Sequence, residues 1–150
     1  IPAVARGCGV FGEPAAAALA ASAATAEDSR RIKAAFEKMA AAKSNDAFAE
    51  ADIEFHKNIF RATQNEFFWP IAQMFELALR ECFRMSSEGD HRHRAIDEHR
   101  ELMLAITSHK PERANAAAAL LLRNAAQDLV VILGRDIFGK KARAAVKQPA

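Results

Sequence analysis

Tyrosine is absent from this 150-residue chain, and glycine (6), proline (5) and cysteine (2) are scarce. With so few residues that force a turn, long helices are permitted. Valine and isoleucine are too sparse and scattered to supply a sheet. The two cysteines, Cys8 and Cys82, are far apart and match no disulfide or zinc spacing. Cys82 falls in an apolar helical pattern and reads as a buried thiol in a reducing compartment. An excess of one charge is also missing. The 21 basic and 19 acidic residues leave a net +2, which is no nucleic-acid footprint. No apolar run is long enough to span a membrane, and no basic segment with an apolar core opens the chain. The expected location is therefore the cytoplasm. There is no Gly-x-Ser-x-Gly elbow and no phosphate loop, and Glu98-His99-Arg100-Glu101 lacks the second histidine of a zinc-protease helix. Nucleophilic catalysis finds no support, and the chain is not read as an enzyme.

What is present is alanine, the main contributor to a hydrophobic content of 51%. Alanine loses no side-chain entropy in a helix, so the composition favours helices. Glu13-Pro14 opens an alanine-rich run to Ala24, with an acid and a proline as start signals. Thr25-Ala26-Glu27-Asp28 is a capping sequence, and Ile32, Ala35, Phe36 and Met39 then repeat at helical spacing. Ser44 or Asn45 caps a third helix, which carries Phe48, Ile53, Phe55, His56, Ile59 and Phe60 and ends near Ala62. Asn65 caps a fourth, with Phe67, Ile71, Met74, Phe75, Ala78 and Cys82 on one stripe. Pro70 either kinks that helix or delays its start to near Phe68. Trp69, Leu77 and Leu79 lie off the stripe, so this helix reads as buried on more than one side, the second contact being another subunit. Asp90 caps a fifth helix, running to about Ser108 with Ile96, His99, Leu102, Met103 and Ile106 inward. Pro111 starts a sixth, running to about Gly134.

The expected fold is all-α, an antiparallel bundle of six to seven helices. Residues 1–10 read as a linker or frayed N-terminus, 11–138 as the domain, and 139–150 as a disordered basic tail. The chain opens on Ile1 rather than Met, as a piece of a longer protein does.

Few polar residues interrupt the apolar helix faces. Asp52 and His56 are four apart, which on a helix stacks them one turn from each other. Such a pair either offers two ligands to a metal or forms one core hydrogen bond. His99 is a third such group, on another helix. An aspartate with two histidines suits a divalent transition metal such as zinc, nickel or manganese. His91 and His93 fall on different faces of a helix start and read as solvated, while His109 reads as a cap on the carbonyls ending helix five. Arg80 and Arg84 either clamp a carboxylate ligand or lie in solvent or an interface, with their stems on apolar surface.

The order of these motifs resembles the FCD domain, the C-terminal effector-binding and dimerisation domain of GntR-family bacterial transcription regulators. The resemblance runs from Glu13-Pro14 through Thr25-Ala26-Glu27-Asp28, Asp52-x-x-Phe55-His56, Asn65 and Glu98-His99-Arg100 to Leu122-Arg123-Asn124-Ala125. It implies a homodimer and a central ligand pocket. In many members of the family that pocket holds a divalent metal on one aspartate and three histidines, with a small carboxylate (an organic or sugar acid) beside it. Carried over, the metal ligands are Asp52, His56 and His99. The third histidine would stand at Leu121, which cannot ligate. The site is then a three-ligand centre, a centre helped by Asn124, or a metal-free one. Arg80, Arg84, Asn124 and Leu121 are the effector-binding candidates. DNA would be contacted only through a winged-helix domain that this chain lacks. The rivals are a metal-dependent enzyme on the same scaffold and a metal-free structural or sensor bundle. Leu121→His is expected to tighten metal binding in a metal titration. No gain would mean that residue 121 does not face Asp52 and His56.

Overall fold

The computed structural model describes residues 12–85 and 92–145, of which 75, 78, 81–85, 129 and 131–145 are described by their backbone alone. Among them are six α-helices and no strand: α1 Glu13–Ala23, α2 Ala26–Ala40, α3 Asn45–Ala62, α4 Trp69–Met85, α5 Arg92–Thr107 and α6 Pro111–Ala145. A 3₁₀ turn, Glu66–Phe68, precedes α4.

α1 lies at the centre, packed on α3, α5 and α6. Its Ala16, Ala17, Ala20 and Ala21 are wholly buried. Small side chains let three neighbours approach it, while Ala15, Leu19 and Ser22 keep one face in solvent. The bulk of the core comes from the surrounding helices: Ile32 and Met39 of α2, Phe55, Ile59 and Phe60 of α3, and Leu102 and Ile106 of α5. Each such side chain contributes roughly 1.5–3 kcal/mol when fully buried.

Local signals set most of the helix starts. Thr25 and Asp28 form the expected capping box: Thr25 Oγ1 accepts from the Asp28 amide at 3.1 Å, and Asp28 Oδ2 accepts from the Thr25 amide at 3.0 Å. Of the two candidate caps for α3, Ser44 serves, accepting from the Ala47 amide at 3.1 Å. The Asn45 side chain accepts from Arg92 instead, at 2.6 Å. Asn65 caps the 3₁₀ turn rather than a regular helix, through the Phe67 amide at 3.1 Å. α4 then begins at Trp69, so Pro70 sits in the first turn, where its missing N–H breaks no bond.

Two expectations are corrected. His109 does not cap its own helix. With φ 54° it ends the turn after α5, and its Nδ1 donates to the Ala21 carbonyl in the last turn of α1, at 2.9 Å. The last helix continues past Gly134 to Ala145, so residues 139–145 are helical where a disordered tail was expected. Gly134 and Gly139 each cost about 1 kcal/mol against alanine, which the helix formers around them tolerate. Only 146–150 of that tail, together with the 1–10 linker, Cys8, His91 and Asp90, lie outside the described residues. Gly7, Gly9 and Gly12 have Gly-x-Gly-x-x-Gly spacing, but Gly12 leads into an all-α bundle, not the strand–turn–helix unit of a dinucleotide site.

Candidate metal centre

α3 brings Asp52 and His56 inward from successive turns, and α5 supplies His99. All three are buried, and their ligand atoms form a small triangle. His99 Nε2 is 2.8 Å from Asp52 Oδ1, His56 Nε2 is 3.1 Å from the same oxygen, and the two Nε2 atoms are 3.2 Å apart. Donor atoms about 2.1 Å from one ion lie about 3.0 Å apart at right angles and about 3.4 Å apart at tetrahedral angles. The observed edges fit one face of an octahedron. The Phe55 ring stands edge-on to both imidazoles, at 5.5 Å from His56 and 5.2 Å from His99, and helps fix their planes.

A fourth group completes the cluster. Glu13, the first residue of α1, is 1% exposed, and its Oε1 meets Nδ1 of His56. Its other oxygen, Oε2, is buried with no partner among the described residues. A first-turn acid is so common a helix-start signal that Glu13 reads as ordinary in the sequence. The available clue was its neighbourhood: an acid opening a helix with no polar face is carried inward with that helix.

Hydrogen bonding orients both rings. His99 Nδ1 is 2.6 Å from the Ala95 carbonyl, which can only accept, so Nδ1 holds the proton there. His56 Nδ1 likewise faces a carboxylate. Both rings therefore turn Nε2 toward Asp52, and two N–H groups cannot point at each other across 3.2 Å. At most one proton fits among these three acceptors. With both imidazoles neutral, Asp52 and Glu13 leave two negative charges in a dry site, which one divalent cation balances. The donor set thus fits a divalent metal.

The same contacts govern the protonation of the metal-free site. Burial pushes the Asp52 carboxyl up, but His99 and then His56 outweigh it and hold Asp52 well below the usual carboxylate range. Burial pushes His56 down, but the Glu13 and Asp52 carboxylates raise it to about 10. Without metal, His56 keeps a proton at the point where the acceptors converge.

The remaining candidates lie elsewhere. Arg80 is on the exposed side of α4, bound to Glu50 at 3.2 Å and Glu76 at 3.1 Å, so protein carboxylates already fill its guanidinium. These contacts are those of a solvated arginine, the second of the two readings open for Arg80. The side chain of Arg84 is outside the described residues. Asn124 donates to Glu98 at 2.6 Å, not to the triangle. Leu121 is 5% exposed and packed in the core. His93 is exposed, in line with a solvated role.

Residues 13–124 match the FCD domain family. The chain is also similar to the galactonate operon transcriptional repressor of Escherichia coli (strain K12), with 30% identity over 124 residues. That alignment covers 78% of this chain and 52% of the repressor, so the chain spans about half the length of the curated relative it matches.

The protonation pattern sets how the metal-free protein responds to pH. Asp52 lies below its ordinary 3.8, so its contribution is present above 3.8 and lost as pH falls. His56 at about 10 lies above its ordinary 6.5, so its contribution is complete below 6.5 and lost as pH rises through 10. With a chelator present, the urea midpoint should be highest between pH 3.8 and 6.5 and decline toward 10. A midpoint that climbs over that upper interval would show His56 to be neutral in the folded chain.

Proposed function

The chain belongs to the FCD domain family, and from that premise we propose that it is the ligand-sensing and dimerising domain of a cytoplasmic bacterial transcription regulator, not an enzyme. Asp52, His56 and His99 hold a divalent metal (zinc, nickel or manganese), and a small carboxylate effector binds beside it. The carrying observation is the convergence of two imidazole Nε2 atoms and a carboxylate oxygen within 3.2 Å of one another in a buried site. A divalent ion there supplies positive charge and open coordination positions that a carboxylate can occupy. His56 must shed its proton to ligate, so uptake strengthens as pH rises. The relative's name refers to galactonate, a sugar acid, which supports that ligand class. DNA would be contacted through a winged-helix domain N-terminal to this one.

The homodimer finds support in an exposed apolar stripe that begins in the 3₁₀ turn and continues along α4. Phe67, Ile71, Met74 and Leu77 follow one another at helical spacing, yet are 84%, 39%, 73% and 66% exposed. An apolar stripe of this kind on a single chain suits pairing with a second copy across a two-fold axis. Effector binding then matters only if it favours one dimer arrangement over another, in proportion to its differential affinity for the two.

Metal analysis of the purified protein tests the centre. Zinc or nickel at about 100 times its dissociation constant stabilises the wild type by about 2.7 kcal/mol, or about 5–10 °C for a domain of this size. Asp52→Ala and His99→Ala should abolish both metal content and that shift. Unchanged values in both variants would mean that Asp52 and His99 hold no metal, and the metal reading of this cluster fails. Small molecules released on denaturation, identified by mass spectrometry, name the effector.

Sedimentation equilibrium tests the dimer. The double substitution Met74→Glu, Leu77→Glu should halve the mass with helicity retained. A dimer that survives it does not use this face.

A further inference from the structure

The two histidines of the centre are oriented by different means. His99 is set by its own helix, through the Ala95 carbonyl one turn back. His56 is set by a charge from a different helix, the Glu13 carboxylate of α1. A histidine ring can turn over about its Cβ–Cγ bond, which puts Cδ2 where Nδ1 was and Cε1 where Nε2 was, so a partner at Nδ1 decides whether Nε2 or a carbon faces inward. Glu13 fills that position for His56.

The rest of α1 cannot share this task. Its inward residues are alanines, which carry no polar side-chain atom. Glu13 is therefore the polar anchor between α1 and the cluster among the described residues. It is also the residue at which the preceding segment enters the bundle. Its Oε2 has no hydrogen-bond partner among the described residues, and its Oε1 pairs with His56.

We propose that Glu13 is the positioning residue of the metal centre, fixing the Nδ1–H form of His56 with Nε2 turned toward Asp52 and His99, and thereby making the start of α1 part of the centre. This inference rests on the metal reading above. Glu13 adds a second negative charge without adding a ligand. It also gives occupancy of the centre a direct mechanical link to the chain entering α1, because a shift of the His56 ring on metal binding is felt at the first turn of that helix.

The test uses the full chain with zinc as the probe. A competition titration against a chromogenic chelator should show Glu13→Gln binding zinc about 10–100-fold more weakly than wild type, as loss of an orienting partner does. The amide is isosteric, and circular dichroism should show the helical content unchanged. In the zinc-loaded wild type, nitrogen NMR should find His56 protonated at Nδ1 and metal-bound at Nε2. Amide exchange at residues 16–20 should slow on zinc loading in the wild type and respond less in Glu13→Gln. Zinc affinity within twofold of wild type in Glu13→Gln overturns the proposal. So does a His56 bound through Nδ1, a readout that stands even if the variant fails to fold. Exchange at 16–20 that ignores zinc overturns the link to α1. A wild type that takes up no zinc overturns the centre itself together with the part of Glu13 in it.

Discussion

His56 sits 1% exposed with a carboxylate on each side, Glu13 at one ring nitrogen and Asp52 at the other, and with a second imidazole 3.2 Å away. Two negative charges and two imidazoles in a dry interior are stable only with positive charge among them. A proton on His56 meets that need in the metal-free chain, and a divalent cation meets it more completely. The apolar core joins α1, α3 and α5, and separating α1 from α3 would in addition leave the Glu13 carboxylate buried without His56.

The packing follows from this arrangement. α1 must pass close enough to α3 for a glutamate to reach His56, and it must also lie against α5 and α6. Alanine on every buried turn makes that approach possible. The cost is a helix with little grip of its own. The long side chains of α2, α3 and α5 provide the apolar burial instead, and Phe55 serves both purposes by packing in the core and edging both imidazoles. The end of α1 is held by a similar economy, since His109, displaced into a left-handed turn after α5, donates to the Ala21 carbonyl.

Surface charges play a smaller part. The Arg80–Glu50–Glu76 and Arg113–Glu101 contacts join neighbouring helices in solvent, where such pairs contribute about 0–1 kcal/mol. The exposed stripe from Phe67 to Leu77 stands out against them because it has no such covering.

The helices and most of their boundaries were legible from composition and short-range chemistry. The Thr25–Asp28 box, the Ser44 cap and the prolines at the starts of α1 and α6 act over three or four residues, so the sequence by itself determined them. The same holds for Asp52 and His56, because helix periodicity alone stacks them. His99 was legible as a polar residue on an apolar face. Pairing across the bundle was not. Glu13 and His56 are 43 residues apart, as are His56 and His99, and no local pattern states which partner a buried group meets. The Glu50 carboxylate on Arg80, the glutamate that claims Asn124 and the carbonyl that claims His109 were likewise decided by tertiary structure, because these partners come from other helices and only the folded packing sets those distances. Glu76, one turn before Arg80 on α4, is a local partner.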